Sequence, residues 1–395
     1  TQQPKNQLPP RRAADLKTGE KISMQESFEK LGLTENLIAG VRKAGLTLPT
    51  PIQAQVIPLA LNGQDIIAQS PTGTGKTLAY LLPLFQKIDP AKREMQALVL
   101  APTNELAIQI QRHAEVLADN SGLPIRAAAI IGKVNVPRQI EKLKEKPQLI
   151  AGTTGRVLEL IRLKKITGHT LKTIVLDEAD RLLEEINLEQ VKALIKTTLK
   201  ERQLMCFSAT LTPAALAKAA ELMREPRVIK IGGPAKAAAA HKVSHRYRIT
   251  ERRDKIEALR KLTGRLKIER ALVFVNRSYD IEITLAKLHY HGLSAAGIHR
   301  SLPNPQRQKA INDFRAGKIQ LLVATDLAAR GLDIPELTHV INLDLPESPQ
   351  VYLHRAGRTG RAGQSGTVIS LVTPREAAAI KKYGQALKIE VRALA

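Results

Sequence analysis

The sequence predicts an α/β protein built from two parallel sheets in tandem, and three observations carry that reading. The chain has 395 residues, more than one ordinary hydrophobic core accommodates. Short apolar, β-branched runs alternate with longer segments of helical periodicity, the pattern of parallel strands joined by crossover helices. The alternation occurs twice, with a break rich in Gly, Pro and Ala between the two series.

In the first half the strand-like runs are 65–69, 97–101, 148–152, 173–176 and 203–207. In the second they are 271–275, 295–299, 319–324, 339–343 and 367–372. Periodic stretches such as 105–118 and 278–291 lie between them. Two sheets of about five strands suit this count better than one, since open sheets rarely exceed about ten strands. The break at Gly232-Gly233-Pro234, with the small residues to Ala240, reads as a linker. The expected domains are therefore a flexible basic tail 1–24, a first domain 25–231, a linker 232–240 and a second domain 241–395. The chain opens on Thr1 rather than Met, so the native N-terminus is expected upstream. No accessory domain or low-complexity arm is legible.

Hydrophobic residues make up 43% and charged residues 25%, the profile of a soluble globular protein. No apolar run approaches the eighteen or so residues of a membrane span, and residues 1–20 lack a signal-peptide pattern. The single cysteine, Cys206, excludes an internal disulfide framework or a cysteine zinc cluster and fits a cytoplasmic location. The net charge of +24 is far more than solubility requires. It points to a polyanion, most often nucleic acid, with an acidic membrane surface as the second choice. Residues 241–395 hold 27 Lys+Arg against 14 Asp+Glu, a net of +13; residues 25–240 hold 29 against 21, only +8 over a longer stretch. The second half carries the denser field. Aromatic residues are only 3%, which argues for contact with backbone phosphates and 2′-hydroxyls rather than for base stacking.

Chemistry enters directly after the run 65–69. Ser70-Pro71-Thr72-Gly73-Thr74-Gly75-Lys76-Thr77 leads into the helix-like 78–86. Glycines let backbone N–H groups converge on phosphate oxygens, and the helix N-terminus adds partial positive charge. Lys76 can reach the β- and γ-phosphates of a nucleotide, and the Thr77 hydroxyl can ligate Mg²⁺. Ser70 stands where the common pattern has its first glycine. The strand-like 173–176 delivers Asp177-Glu178-Ala179-Asp180 to its C-terminal end, where open α/β sheets bind ligands. Asp177 suits a metal held through water, and Glu178 suits orientation or deprotonation of an attacking water. Ser208-Ala209-Thr210 follows the run 203–207. Gln53, in Pro49-Thr50-Pro51-Ile52-Gln53, has the donor and acceptor pair that adenine presents. Phe28 can stack on a base, or simply fill a core.

These segments, with Ala324-Thr325-Asp326-Leu327-Ala328-Ala329-Arg330-Gly331-Leu332-Asp333 and His354-Arg355-Ala356-Gly357-Arg358-Thr359-Gly360-Arg361, resemble the DEAD-box RNA helicase family, most like its small bacterial members. The resemblance runs from about residue 28 to about 387. It implies two tandem RecA-like domains and an ATP- and Mg²⁺-dependent enzyme. Gln53 would read adenine, Phe28 would stack on it, and Thr72, Gly73, Thr74, Gly75, Lys76 and Thr77 would cradle the phosphates. Asp177 and Glu178 would serve metal and water. Ser208 and Thr210 would couple hydrolysis to strand separation, and Asp180 would bridge to His354 on closure. Asp333 would meet the ribose. Arg358 and Arg361 would be arginine fingers, since phosphoryl transfer needs positive charge where negative charge develops; read from the residues alone, the Arg- and Gly-rich strip suits close approach to a phosphate, of RNA or of the nucleotide. RNA would be held by Pro102, Thr103, Gly132, Thr153, Arg156, Arg307 and Thr325. Ribosomal or messenger RNA assemblies are the expected substrates, and a monomer the expected state.

The nucleotide motifs match the family closely; the RNA-facing ones depart from it. Asn104 stands where arginine is usual, Lys133 where a second glycine is, Thr154 where proline is, Arg300 where glycine is, and Asn304 where glutamine is. Thr154 is expected to loosen a turn that proline would fix. The leading expectation is an ATP-dependent RNA helicase that separates short duplexes locally. Two others compete with it: a nucleotide-gated RNA clamp with little productive unwinding, and a DNA translocase. The DEAD sequence and Gln53 argue against the last.

Overall fold

A computed structural model describes residues 27–71, 73–132, 134–231, 243–299, 302–329, 337–360 and 365–394. The expected tail 1–24 and linker 232–240 lie outside the described residues. The chain divides into two compact units, with the change between Ile231 and Gly232.

In the first unit the strands are β1 (Ile66–Gln69), β2 (Ala97–Ala101), β3 (Ala127–Ile130), β4 (Leu149–Thr153), β5 (Thr173–Asp177), β6 (Gln203–Ser208) and β7 (Arg227–Lys230). They form one sheet in the order β3-β4-β2-β5-β6-β1-β7, and every pairing is parallel. All five residues of β2 and all five of β5 are buried, as expected of strands covered on both faces. Alternate side chains serve opposite layers. Ala97, Val99 and Ala101 join Ile52, Tyr80 and Ile110 on one face. Leu98 and Leu100 join Val157, Leu160 and Val191 on the other.

The second unit repeats the plan. Its strands are β8 (Val243–Ile249), β9 (Ala271–Phe274), β10 (Ala295–Ile298), β11 (Leu321–Ala324), β12 (His339–Asn342), β13 (Gly366–Val372) and β14 (Val391–Ala393). Their order is β10-β11-β9-β12-β13-β8-β14, again wholly parallel. Counted from its own first strand, each unit has the same order. Leu272 and Phe274 face one layer, Ala271 and Val273 the other.

Each sheet has seven strands among the described residues, against about five expected. The unread four are β3, β7, β8 and β14. Three lie at sheet edges: β3 is an Ala-rich run poor in β-branched residues, β7 begins on Arg227 and ends on Lys230, and β14 has three residues. β8 interleaves Ser244, Arg246 and Arg248 with its buried positions.

Candidate functional site

A parallel sheet sends all its strand C-termini to one edge, so strand order becomes the order of the functional segments. Along the edge of the first unit, Gly132 follows β3, Thr153 ends β4, and Pro102-Thr103 follow β2. Then come Asp177 at the end of β5, Ser208 at the end of β6, and the Gly-rich loop after β1. Residues expected to meet RNA occupy one half of the edge, and those expected to meet nucleotide the other.

On the nucleotide half, the Ser70 N–H donates to the Ser208 carbonyl at 2.9 Å, tying the loop's start to β6. The Ser70 and Thr74 hydroxyls meet at 2.7 Å, and Lys76 Nζ donates to the Ser70 carbonyl at 2.6 Å. The loop therefore curls round so that its lysine faces its own backbone. Gly75 has φ +90°, and a Cβ there would lie 2.5 Å from Gln53 Nε2. Only glycine suits both conditions. The helix Lys76–Lys87 starts immediately after it.

Gln53 is 2% exposed. Its Oε1 accepts from the Thr50 N–H at 2.9 Å, closing a capping box on the helix Pro51–Leu61. Its Nε2 donates to the Gly75 carbonyl at 3.1 Å. One donor and one acceptor site of the amide are thus used in bracing the loop, and one of each remains. The Phe28 ring is 1% exposed and packs in the core with Leu31, Leu37 and Ile52.

Asp177 is buried. Its Oδ2 accepts from the Tyr80 hydroxyl at 2.8 Å, its Oδ1 from the Glu178 N–H at 2.9 Å. Burial pushes its carboxyl above the usual range, opposed by the charge of Lys76 and by those two hydrogen bonds. Tyr80, pushed well up by its own burial and by the Asp177 charge, is a site residue the sequence reading missed. It lies one helical turn after Lys76, a spacing that could have flagged it. Glu178 adopts φ 50°, ψ 51°, a left-handed conformation that costs a non-glycine residue about 1 kcal/mol and is typical of functional turns.

Within the nucleotide half, Asp180 accepts from the Ser208 hydroxyl at 2.6 Å and from the Thr210 hydroxyl at 3.3 Å. The acidic motif after β5 is thereby joined to the Ser-Ala-Thr turn after β6. Neighbouring strands bring these segments together: Asp177 pairs with Phe207, and Gln69 with Ser208.

On the other half, Thr103 caps the helix Asn104–Ser121, its Oγ1 accepting from the Leu106 N–H at 3.2 Å. Arg156 turns inward: Nη1 donates to the Val134 carbonyl at 2.8 Å, and Nε pairs with Glu159 at 2.8 Å. Thr154 opens the helix Thr154–Arg162. It is 6% exposed and its hydroxyl is unpartnered. The residue sits at the first helical position, where proline is also accommodated.

In the second unit, Arg307 Nη2 donates to the Ala328 carbonyl at 2.7 Å, and Thr325 Oγ1 accepts from the Ala328 N–H at 3.4 Å. Both belong to the β10–β11 end of the sheet, the counterpart of β3–β4. His354 and Arg358 follow β12, at the end of the helix Pro349–Ala356, with Arg358 Nε donating to the His354 carbonyl at 3.4 Å. Arg355 separates the two and is 1% exposed. It donates to both Asp326 carboxylate oxygens at 2.7 Å, to Asn276 Oδ1 at 2.8 Å, to the Asp344 carbonyl at 2.7 Å and to Asn342 Oδ1 at 3.2 Å. All five guanidinium N–H groups are satisfied, which ties the helix of His354 to the ends of β9, β11 and β12. Composition alone cannot say which arginine of the motif faces inward. Thr72, Asp333 and Arg361, with Lys133 and Arg300, lie outside the described residues.

Comparison with known proteins identifies the family. Residues 50–219 match the family model "DEAD/DEAH box helicase", and residues 254–363 match "Helicase conserved C-terminal domain". The chain is 45% identical over 347 residues to the DEAD-box ATP-dependent RNA helicase CshC of Bacillus cereus, covering 88% of each chain. It is 46% identical over 349 residues to the probable ATP-dependent RNA helicase YfmL of Bacillus subtilis, covering 88% of this chain and 91% of that one. Among solved structures, Saccharomyces cerevisiae Dbp5 bound to RNA and ADP BeF3 superposes with a TM-score of 0.83 at 31% identity, covering 94% of this chain and 96% of that one. Two sheets of matching parallel topology, a phosphate loop braced by a glutamine, and identity across nearly the whole chain lead to one conclusion: the chain belongs to the DEAD-box family of ATP-dependent RNA helicases, with two tandem RecA-like domains.

Proposed function

We propose that the chain hydrolyses ATP to open short RNA duplexes, or to remodel RNA–protein complexes, locally and without reading base sequence. The observation that supports it most is the edge of the first unit, where candidate RNA residues on β3, β4 and β2 adjoin nucleotide residues on β5, β6 and β1. Asp180, Ser208 and Thr210 bridge the acidic motif and β6 beside that boundary.

In this reading Thr72, Gly73, Thr74, Gly75 and Lys76 hold the phosphates, Gln53 meets adenine and Asp333 the ribose. Lys76 exchanges the Ser70 carbonyl for phosphate oxygens. Glu178 orients the attacking water. Arg358 and Arg361 come from the second unit to the γ-phosphate, so hydrolysis waits on closure, with Asp180 meeting His354. RNA is gripped by Pro102, Thr103, Gly132, Thr153, Arg156, Arg307 and Thr325, through phosphates and 2′-hydroxyls. Mg²⁺ fits the donors present: the Asp177 carboxylate and the Thr77 hydroxyl are the sparse protein set that ion accepts, its remaining positions going to water and phosphate. When bound, it would neutralise phosphate charge. The protein would work as a monomer in the cytoplasm, on ribosomal or messenger RNA assemblies. No helix among the described residues is long and apolar enough to cross a membrane.

The test is ATP turnover with matched RNA and DNA strands. RNA is expected to stimulate and DNA to do so far less; equal stimulation would sink the reading. RNA binding should also weaken steeply with salt, the log–log slope scaling with the phosphates neutralised.

A further inference from the structure

The loop after β3 is held by side chains from three different helices. Asn104, first residue of the helix Asn104–Ser121, donates from Nδ2 to the Gly132 carbonyl at 3.0 Å and accepts at Oδ1 from the Gly132 N–H at 3.1 Å. Gln139, from the helix Val136–Lys144, does the same for Ile131, at 2.9 Å from its N–H and 3.0 Å to its carbonyl. Arg156, from the helix Thr154–Arg162, takes the Val134 carbonyl at 2.8 Å. The backbone polar groups of Ile131 and Gly132 are thus met inside the protein.

Gly132 itself has no internal reason to be glycine. Its φ is not positive, and a Cβ there would meet only Asn104 Oδ1, at 3.9 Å, among the described residues. Glycines that packing demands look different: a Cβ at Gly168 would lie 2.4 Å from the Thr197 carbonyl oxygen. A glycine that neither conformation nor packing requires, on the edge where ligands bind, leaves its Cα face bare for close approach from outside.

We propose that Asn104 is a positioning residue for RNA: by taking both polar groups of Gly132 it presents that glycine's bare backbone to the RNA strand as a fixed, neutral surface. Grip at this point then depends on the loop's shape, with phosphate attraction supplied elsewhere. The inference rests on the reading that RNA crosses this half of the edge. It also assigns a role to Asn104 at a position where a charged residue is usual in the family.

The experiment follows labelled single-stranded RNA by fluorescence anisotropy, alongside ATPase titrated with RNA, for wild type, N104A, N104D and G132A. Losing two neutral hydrogen bonds, each modest alone, should raise the RNA concentration for half-saturation about tenfold in N104A, with kcat at saturating RNA changing less than about twofold. N104D keeps the acceptor for the Gly132 N–H but sets a carboxylate against the Gly132 carbonyl, and should weaken binding at least as much. G132A should melt with the wild type yet bind RNA more weakly. Hydrogen exchange should show the Gly132 amide protected in wild type and released in N104A. The proposal is overturned if that amide is released while N104A and G132A bind RNA like wild type, or if kcat and half-saturation fail together. DNA stimulating as well as RNA would instead sink the proposed function, a result visible in wild type alone.

Discussion

The two units share one strand order, yet they use the same edge in opposite ways. In the first, β1 runs into a glycine loop whose lysine rests on the Ser70 carbonyl at 2.6 Å, a partner that a phosphate can replace. In the second, the topologically equivalent β8 runs into Thr250-Glu251 and the short 3₁₀ turn Arg252–Asp254, with no glycine loop. There the prominent edge cation is Arg355, with all five donors satisfied by Asn276, Asp326, Asn342 and Asp344. In the proposed reading the scaffold alone does not set where an anion binds: the edge cation of the first unit is held by a backbone carbonyl, whereas Arg355 is saturated from within.

That contrast can be broken in order of expected effect. Lys76→Ala should abolish measurable ATPase and weaken nucleotide binding, since the loop loses its one lysine; retained turnover would remove the loop from the site. Arg355→Met should destabilise the second unit by roughly 3–5 kcal/mol in urea unfolding, because Asp326 is left without its paired cation. Arg355→Lys should recover little, as a point charge cannot reproduce the five-donor fork. Unfolding like wild type would show that the saturated arginine is not structural.

A smaller effect concerns His245, buried on β8 with Nδ1 3.0 Å from the Tyr352 hydroxyl. Burial pulls its pKa down from 6.5 to about 4. The folded state therefore favours the neutral ring, and the unfolded chain binds the extra proton. Stability from this residue is full above pH 6.5, falls as pH drops through that value, and is lost by about pH 4, amounting to roughly 3 kcal/mol. His245→Gln should flatten that part of the pH–stability curve; an unchanged slope would assign it to other groups.

Much of the proposed nucleotide site is legible in sequence because its chemistry depends on consecutive residues. Gly75, Lys76 and Thr77 are adjacent, as are Asp177 and Glu178, and each group follows a strong apolar strand. The missed parts depend on what folding brings together from afar. Tyr80 meets Asp177 across 97 positions, and Asn104 meets Gly132 across 28. Phe28 is open to two readings in sequence, and its burial depends on helices that no local spacing reveals. The four unread strands fail for a third reason. Edge and partly polar strands receive too little apolar burial to leave a run, so β8 and β14 exist by pairing with their neighbours.

The central claim is that ATP hydrolysis needs a cation from the second unit. Single-turnover hydrolysis by Arg358→Ala, beside direct measurement of ATP binding, tests it most directly. Loss of an arginine finger should slow hydrolysis about 10³-fold or more while ATP affinity stays close to wild type. Hydrolysis at the wild-type rate would show that the first unit completes the reaction alone and would contradict the account.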